Sequence, residues 1–229
     1  MASEQLEVIF DRALLRKNRA RFANDFKEFN FLHVEVANKI IESLEFMKRD
    51  FDSVLEIGAR DGYLAEQISK KKKVKNIVQT EICDFGAKDG MVIADDEFLP
   101  FKNKSFDLIV SCLNFHHINL IPQFMLQAKS LLKPNGILIV SFFGEENLSE
   151  LAHVIFETES EIYGGVSPRM SPTIEVKTAA HLLQKAGFTS PISDFEKIEV
   201  NYKNPLTLLK DLKMMGQGNV MNKRSRKFF

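Results

Sequence analysis

Between residues 31 and 143, short apolar runs alternate with segments in which apolar residues recur at helical spacing. This alternation predicts crossover connections between parallel strands, with helices covering both faces of the sheet. The predicted strands are Ser53–Ile57, Val74–Thr80, Met91–Ala94, Phe106–Cys112 and Ile137–Phe143. The sequence therefore predicts an α/β fold built on a Rossmann-like sheet.

The remaining segments predict a helical covering that becomes less regular after residue 144. One further strand is predicted at Ile198–Tyr202, and the Pro134–Gly136 turn is expected to separate a helix from the fifth strand. The predicted helices are 31–48, Asp61–Lys70, Gln123–Leu132, Leu148–Tyr163, Ile174–Ala186 and Leu206–Met215. We divide the chain into an N-terminal helical segment (1–48), a core domain (49–204) and a C-terminal helix with a basic tail (205–229).

Composition excludes several classes of protein. A chain of 229 residues suits one α/β domain. Its 31 basic and 31 acidic residues balance, so no overall positive field would attract nucleic acid. No apolar run is long enough to span a membrane. The two cysteines, Cys83 and Cys112, are not at metal-ligand spacing and indicate a reducing compartment.

The N-terminal region is basic, with five arginines and lysines between residues 12 and 21. It lacks the apolar core of a secretory signal, and Glu4, Glu7 and Asp11 are unlike a mitochondrial presequence. We therefore expect a cytoplasmic protein whose basic helix faces solvent. A helix that contacts a membrane surface or a partner is the alternative.

The stretch SVLEIGARDGYL, residues 53–64, predicts a strand that enters a helix through a tight turn. Such a turn presents backbone N–H groups at the carboxyl edge of the sheet, where ligands bind. The dinucleotide pattern G-x-G-x-x-G fails here, because Arg60 and Tyr63 stand where its second and third glycines would be. The phosphate-loop pattern fails too, since no Gly-Lys-Ser/Thr follows. We expect the Arg60 side chain to point out of the turn, where a salt bridge to Asp61 or Glu66 is one simple role for it.

Polar residues at successive strand ends favour S-adenosylmethionine as the ligand. Glu56 could orient its ammonium group, and Glu81 closes the second strand, where a carboxylate accepts both ribose hydroxyls. Asp95 and Asp96 follow the third strand and suit the adenine amino group, while Asn114 follows the fourth and lines the sulfonium side. The ordered series of acids is stronger evidence than any one of them.

Three stretches of the chain carry a family resemblance. They are VLEIGARDGYLA, ADDEFLPFKNKSFDLIVSCLNFHHIN and LLKPNGILIVSF. They resemble the class I S-adenosylmethionine-dependent methyltransferases. Four more resemble the subfamily of the complex I assembly factor 5 and its bacterial homologues, which is similar to the malonyl-carrier-protein methyltransferases: FDRALLRKNRARFA, FLHVEVANKI, GGVSPRMSP and LLKDLKMMGQGN.

The resemblance implies a set of cofactor contacts. It places the methionine moiety at Gly58, Ala59 and Gly62, the ribose at Glu81, and the adenine at Asp95 with Asp96. The chain departs from the family at Arg60, where most such turns have glycine. The family also continues to a final antiparallel strand, which we expect to be missing, leaving an unpaired sheet edge.

Candidate residues for the chemistry lie beyond the fourth strand and in the loop 164–172. His116 or His117 could act as a base, or both could simply pack at the strand end. Arg169 could clamp a carboxylate or phosphate of the acceptor beside Tyr163, or pair with a surface acid.

Three functions stay open. The first is methyl transfer to a protein side chain or a carrier-linked carboxylate. The second, which the resemblance to the assembly-factor subfamily implies, is hydroxylation of an arginine on a respiratory complex subunit. The third is a non-catalytic assembly factor. Hydroxylation needs an oxidant, for which iron is one candidate. His33 and Glu35 face different sides of the predicted helix, however, so no metal site is predicted.

Overall fold

The structure, a computed structural model, describes residues 8–86 and 90–224. Its centre is a five-stranded parallel sheet in the order β3-β2-β1-β4-β5. The strands are β1 (Phe51–Ile57), β2 (Val74–Glu81), β3 (Met91–Ile93), β4 (Phe106–Ser111) and β5 (Leu132–Val140). The strand order reverses between β1 and β4, which is where an open parallel sheet binds its ligand. The predicted α/β fold with a Rossmann-like sheet is confirmed.

Eight α-helices surround this sheet in the part of the chain that the structure describes. They are α1 (Arg12–Phe22), α2 (Phe26–Phe29), α3 (Phe31–Phe46), α4 (Tyr63–Lys71), α5 (Ile121–Leu131), α6 (Ser149–Tyr163), α7 (Val176–Lys185) and α8 (Pro205–Met214). A short 3₁₀ helix, Phe115–His117, follows β4.

Two apolar layers hold the helices on the sheet. Alternate residues of a strand point to opposite faces, so Leu55 of β1 packs with α5 while Val54 packs with α3 and α4. β4 divides in the same way, with Ile109 in the first layer and Leu108 in the second. All four side chains are fully buried, as expected for a central parallel pair.

The boundary predicted for β5 is wrong. The strand begins at Leu132, which pairs with Phe106, and the next pair is Ile137 with Leu108. The Pro134–Gly136 stretch is therefore a bulge inside the strand rather than a turn before it. Asn135 adopts the left-handed conformation there, with φ of 60°.

The strand predicted at Ile198–Tyr202 is also wrong. Residues 191–200 form neither helix nor strand. A strand needs a neighbour to pair its backbone groups, and within the described ranges no strand pairs with the outer edge of β5. Alternating apolar residues are therefore not enough to form a strand at this position.

The N-terminal segment meets the segment after α8 across the carboxyl edge of the sheet. Phe10 and Met221 form an antiparallel bridge, and the Asp11 N–H donates to the Val220 carbonyl at 2.8 Å. Phe10 and Met221 are buried together with Leu15 of α1 and Ile82. The two segments thus cover the region where the strand-end acids lie. None of the helices in the described ranges has the length and hydropathy needed to cross a bilayer.

Candidate functional site

The turn after β1 is packed directly against the end of β4. The N–H groups of Gly58 and Ala59 both donate to the Thr80 carbonyl at 2.9 Å. Gly58 has φ of +72°, and a Cβ there would lie 2.4 Å from Cγ of Asn114. Glycine is therefore required by both the backbone conformation and the close approach of Asn114.

Glu81 lies at the end of β2 and is fully buried. Its Oε1 accepts from Arg19 Nη1 at 2.8 Å and from the Ile82 N–H at 2.9 Å. Its Oε2 accepts from the Arg60 N–H at 3.1 Å. Burial alone would raise the pKa of Glu81, but the charges of Arg19 and Arg60 outweigh it and lower the pKa. Glu81 is thus a charged carboxylate in the centre of the site.

Arg19 comes from α1 and was not predicted to take part in the site. It is 1% exposed, and its Nη2 donates to Asn114 Oδ1 at 2.5 Å. The expectation that the basic N-terminal helix simply faces solvent is wrong at this residue. Arg12, Leu15 and Arg19 are spaced along one helix face, and this spacing is the sequence signal that could have revealed it.

Arg12 of α1 binds both aspartates after β3. Its Nη2 lies 2.6 Å from Asp95 Oδ1 and 3.1 Å from Asp96 Oδ2. Burial would raise the pKa of Asp95, but the hydrogen bond and charge of Arg12 lower it. Asn114 Nδ2 also donates to Asp96 Oδ2 at 3.0 Å, which leaves the buried Asp96 Oδ1 without a hydrogen bond. The structure therefore brings together Glu81, Asp96 and Asn114, which the sequence places at successive strand ends, and adds two arginines to them.

The prediction that Arg60 points out of the turn is wrong. The residue is 2% exposed, and its guanidinium lies 5.6 Å from the ring centre of Phe26 and 6.0 Å from that of Phe85. Its Nε lies 3.9 Å from Glu81 Oε2, so an ion pair joins the turn to the end of β2. Burial, followed by the charge of Arg19, lowers the pKa of Arg60 to about 10. Arg60 is thus part of the interior of the site.

Glu56 is buried within β1 and accepts a hydrogen bond from Gln79 Nε2 at 2.8 Å. Burial raises the pKa of Glu56 to about 8. The carboxyl is therefore mostly protonated at neutral pH. A bound ammonium group would favour its ionised form, and the two groups would then form an ion pair.

His116 and His117 lie buried in the 3₁₀ helix, with ring centres 4.3 Å apart. His116 Nε2 lies 2.9 Å from Gln217 Oε1, within hydrogen-bonding distance, and Nδ1 has no hydrogen bond. Burial lowers the pKa of His116 to about 3 and that of His117 well below its usual value. Both rings are neutral and pack at the strand end, which is the simpler of the two predicted roles.

The loop 164–172 is anchored on Glu159 of α6. Glu159 accepts from the Ser167 N–H and from Arg169 Nε, each at 2.7 Å. Hydrogen bonds from the Ser167 backbone and hydroxyl, and then from Arg169, lower the pKa of Glu159 to about 2. The Pro168 carbonyl accepts from Asn219, which follows α8. Arg169 therefore holds the loop, and Tyr163 beside it is exposed.

An open cleft of about 320 Å³ lies on the outer side of the turn. Its lining includes Lys27, Arg60, Asp61, Tyr63 and Phe85. The cleft reaches Arg60 but not Glu81, whose surroundings are filled by Arg19 of α1. Access to the acids from this cleft thus passes Arg60 and α1.

His33 and Glu35, the two residues considered as metal ligands, lie in different surroundings. His33 is buried with its ring 5.0 Å from that of Phe26, and Glu35 is exposed. Among residues 8–86 and 90–224, no three His, Cys, Asp or Glu side chains are arranged to hold a metal ion.

The chain is similar in sequence to two groups of known proteins. The mouse protein named "Arginine-hydroxylase NDUFAF5, mitochondrial" is 38% identical over 221 residues, which cover 92% of this chain and 64% of the mouse protein. The malonyl-acyl-carrier-protein O-methyltransferase 1 of Coxiella burnetii is 26% identical, over 98% of this chain and 77% of that protein. The chain thus spans less than two thirds of the length of the mouse relative.

A solved structure shares the fold. It is a methyltransferase of Haloferax volcanii in complex with the activator Trm112, and it superposes with a TM-score of 0.60 at 17% identity over 76% of this chain and 75% of that one. Residues 10–190 match the family model described as a methyltransferase domain. The chain belongs to the methyltransferase domain family, whose fold implies S-adenosylmethionine as cofactor.

Proposed function

We propose that this chain binds S-adenosylmethionine at the carboxyl edge of its sheet and transfers the methyl group to a protein side chain or a carrier-linked carboxylate. The observation that supports this most directly is the convergence of Glu81, Asp96 and Asn114 on the turn at Gly58. The three side chains come from three strand ends and meet where an open parallel sheet binds its ligand.

The residues present fit the cofactor. Asp96 Oδ1 is a buried acceptor without a hydrogen bond and suits the adenine amino group, with Asp95 beside it. Glu81 suits the ribose hydroxyls, and Asn114 the sulfonium side. The turn of Gly58, Ala59 and Gly62 would take the methionine moiety, and Asn114 packs against Gly58 where a Cβ would otherwise stand. When bound, the cofactor supplies a methyl group on a sulfonium, which is already a good leaving group.

The chain's own contribution is to position the reactants and exclude water. The sheet edge fixes the cofactor, and the loop 164–172 is anchored through Glu159 next to the segment that touches His116. A base is required only for an acceptor whose proton has a high pKa. The two neutral histidines are weak bases, so a carboxylate acceptor, which needs no deprotonation, suits this site well.

Binding also requires α1 to move. Arg19 is ion-paired with Glu81, so the ribose would have to displace Arg19. Arg12 is ion-paired with Asp95 and Asp96, so the adenine would have to displace Arg12. A shift of α1 that releases both arginines would open the same acids to the cofactor. The proposal therefore includes a helix that closes the site when no cofactor is bound.

Hydroxylation of a protein arginine is the second candidate, and the similarity to the mouse protein over 92% of this chain favours it. A non-catalytic assembly factor that retains the pocket is the third. Partners would be a protein or an acyl carrier in the first case and a respiratory complex subunit in the others. We propose the cytoplasm as the location; the mouse relative's name says mitochondrial, and two buried free cysteines suit either reducing compartment.

Calorimetric titration with S-adenosylmethionine tests the site. We expect saturable binding by the wild type, and loss of binding in Glu81→Ala and in the milder Glu81→Gln. The control is Glu45→Ala, which removes an exposed carboxylate paired with Lys71. A folded wild type that does not bind would overturn the proposal.

The three functions separate in a second experiment. Methyl-labelled cofactor should transfer its label to a protein or carrier acceptor if the chain is a methyltransferase. Hydroxylation should instead add the mass of one oxygen to a partner subunit. An assembly factor should form a stable complex that tolerates Glu81→Gln.

A further inference from the structure

Helix α6 leaves apolar side chains uncovered. Among its 15 described residues, Glu159 alone is buried. Four large apolar side chains of this helix are 56–61% exposed: Val154, Phe156, Ile162 and Tyr163. A surface helix of a globular protein normally turns its apolar residues toward the core, so exposed ones in this number indicate a surface that another molecule covers.

The charge around α6 is strongly one-sided. The chain as a whole has 31 basic and 31 acidic residues, yet residues 145–161 contain six glutamates and neither lysine nor arginine. Two of the six have a cationic partner from elsewhere in the chain, since Glu159 pairs with Arg169 and Glu146 lies 3.9 Å from Lys197. The outer side of α6 is therefore negative as well as apolar.

The acidic and apolar residues of α6 form one continuous face. Glu150, Glu157 and Glu161 are separated by seven and four positions, so their exposed side chains lie in one row along the helix. At the same helical spacing, Val154 lies on one side of this row and Phe156 on the other. We call these five residues the docking face.

A groove that begins where the loop 164–172 ends has the same sign of charge. It is open, has a volume of about 410 Å³, and includes Ile121, Ile174 and Leu182 in its walls. Glu175 is the one charged residue among its described lining residues, and its side chain makes no capping hydrogen bond to α7. Apolar walls beside a carboxylate suit the aliphatic stem and the charged head of a lysine or arginine.

The docking face and the groove lie on either side of a loop that contacts the cover of the site. The loop is held on α6 by Glu159, and its Pro168 carbonyl accepts from Asn219 Nδ2 at 2.7 Å. Two residues before Asn219, the Gln217 side chain contacts His116 at the end of β4. A partner bound to α6 would thus be one loop away from the place where an acceptor must meet the cofactor.

Charge complementarity restricts the kind of partner. A basic segment would meet opposite charges on the docking face and at Glu175, and its own apolar residues would cover Val154 and Phe156. A carrier protein of net negative charge would meet like charges at the same places, which slows the encounter and disfavours the complex.

We propose that the docking face of α6, together with the groove at Glu175, binds a basic amphipathic segment of a protein acceptor. This inference rests on the proposed function, whose acceptor it narrows to a side chain of a protein that carries such a segment. The carrier-linked carboxylate is disfavoured by the charge of the surface that would have to receive its carrier.

Two synthetic peptides test the charge of the partner. One is an amphipathic helix of leucine and lysine, and the other has glutamate in place of every lysine. In fluorescence anisotropy at an ionic strength of about 0.15 M, where distant charges are screened, we expect the wild type to bind the lysine peptide on the order of tenfold more tightly or better. A malonyl-loaded carrier protein of net negative charge should bind as weakly as the glutamate peptide. Equal or tighter binding of either acidic probe would overturn the proposal.

A charge reversal tests the location. Glu157→Lys combined with Glu161→Lys should weaken binding of the lysine peptide on the order of tenfold and strengthen binding of the glutamate peptide. The matched control is Glu42→Lys combined with Glu45→Lys, which changes the net charge equally at exposed positions of α3. The control should leave the preference for the lysine peptide unchanged. Equal effects of the two double variants would show that net charge alone decides binding, and would overturn the proposal.

The apolar part of the docking face is tested by Phe156→Ala. This variant should weaken both peptides by about severalfold, because it removes contact area that does not depend on charge. Phe46→Ala is the control, since Phe46 is 87% exposed at the end of α3. Unchanged binding in Phe156→Ala would count against docking on this face.

Two measurements on the wild type distinguish this inference from its alternatives. If the wild type bound S-adenosylmethionine but not the lysine peptide, the docking inference alone would fail. If it bound the lysine peptide but not S-adenosylmethionine, the proposed function would fail and the docking surface would stand. Sedimentation tests a second copy of the chain as the occupant: a wild-type dimer that the reversal at Glu157 and Glu161 converts to a monomer would overturn the assignment to a basic acceptor.

Discussion

Arg19 and Glu81 form a fully buried ion pair, 2.8 Å from Nη1 to Oε1, that joins α1 to the end of β2. The carboxylate for which we propose a ribose as ligand is thus held by a side chain of the same molecule. Because both partners are shielded from solvent, this contact is strong and salt hardly screens it. We therefore expect the position of α1 to determine whether the acids of the site are open to a ligand.

Replacing Arg19 should make the acids of the site easier to reach. We expect Arg19→Gln to raise the affinity for S-adenosylmethionine by about tenfold, because the ligand no longer competes with an ion pair for Glu81. The free energy of unfolding should fall by about 2 kcal/mol, since Glu81 loses its charged partner. Calorimetry and denaturant titration measure the two effects. Arg21→Gln, an exposed position on the same helix, is the control, and a weaker affinity in Arg19→Gln would mean that Arg19 is itself a ligand-binding residue.

Gly58→Ala should abolish binding and destabilise the fold. Its Cβ would lie 2.4 Å from Asn114 Cγ on a backbone with φ of +72°, and together these should lower the free energy of unfolding by about 2–3 kcal/mol. Gly144→Ala is the matched control, because a Cβ there meets no atom within 4 Å. The double variant Gly58→Ala, Asn114→Ala should recover part of the stability. If Gly58→Ala were as stable as Gly144→Ala, that result would contradict the close packing of the turn.

Glu56 should make stability depend on pH. Its pKa is about 8 in the folded protein and lies near 4.5 when it is solvated, so the folded state binds more protons between these values. The stabilisation is therefore complete below about pH 4.5 and is lost as the pH rises through 8. The buried histidines act in the opposite sense, because their lowered pKa values favour the folded state as the pH rises through 6.5.

The comparison of wild type with Glu56→Gln isolates this effect. We expect the difference in their free energies of unfolding to change by roughly 2–3 kcal/mol between about pH 5.5 and pH 8.5, in favour of the variant at the higher pH. Denaturant titrations at the two pH values measure it. A difference that is independent of pH would show that Glu56 is already ionised at neutral pH.

Glu159 should control the loop 164–172. Glu159→Gln weakens the contacts with the Ser167 N–H and Arg169, so we expect the loop to be cleaved at least severalfold faster in limited proteolysis. The control is Glu157→Gln, whose exposed carboxylate pairs only with His153 among the ion pairs of the described residues. Unchanged cleavage in both variants would indicate that other contacts anchor the loop.

Features that depend only on residues close together in the sequence could be predicted. The strands β1 to β4 follow from local apolar patterns, and the acids Glu81 and Asp96 follow from their positions at strand ends. The convergence of these acids then follows from parallel topology alone. The proximity of these acids could therefore be predicted before their packing was known.

Features that depend on distant residues were missed. The role of Arg19 requires α1 to lie across the strand ends, which no local pattern states. The direction of Arg60 depends on Phe26 and Phe85, and the absence of a strand at Ile198–Tyr202 depends on a neighbour that the described sheet lacks. In each case tertiary contacts decided between two locally acceptable structures.

The contact between the N-terminal segment and the segment after α8 has a consequence for biosynthesis. Asn222 donates to the Val8 carbonyl, 214 positions away in the sequence, next to the Phe10–Met221 bridge. A ribosome releases the early strands long before residue 222, so the sheet can pair while its acids are still uncovered. The cover over these acids is completed only after residue 222 has been synthesised, and until then we expect the site of a nascent chain to be open to small molecules of the cell.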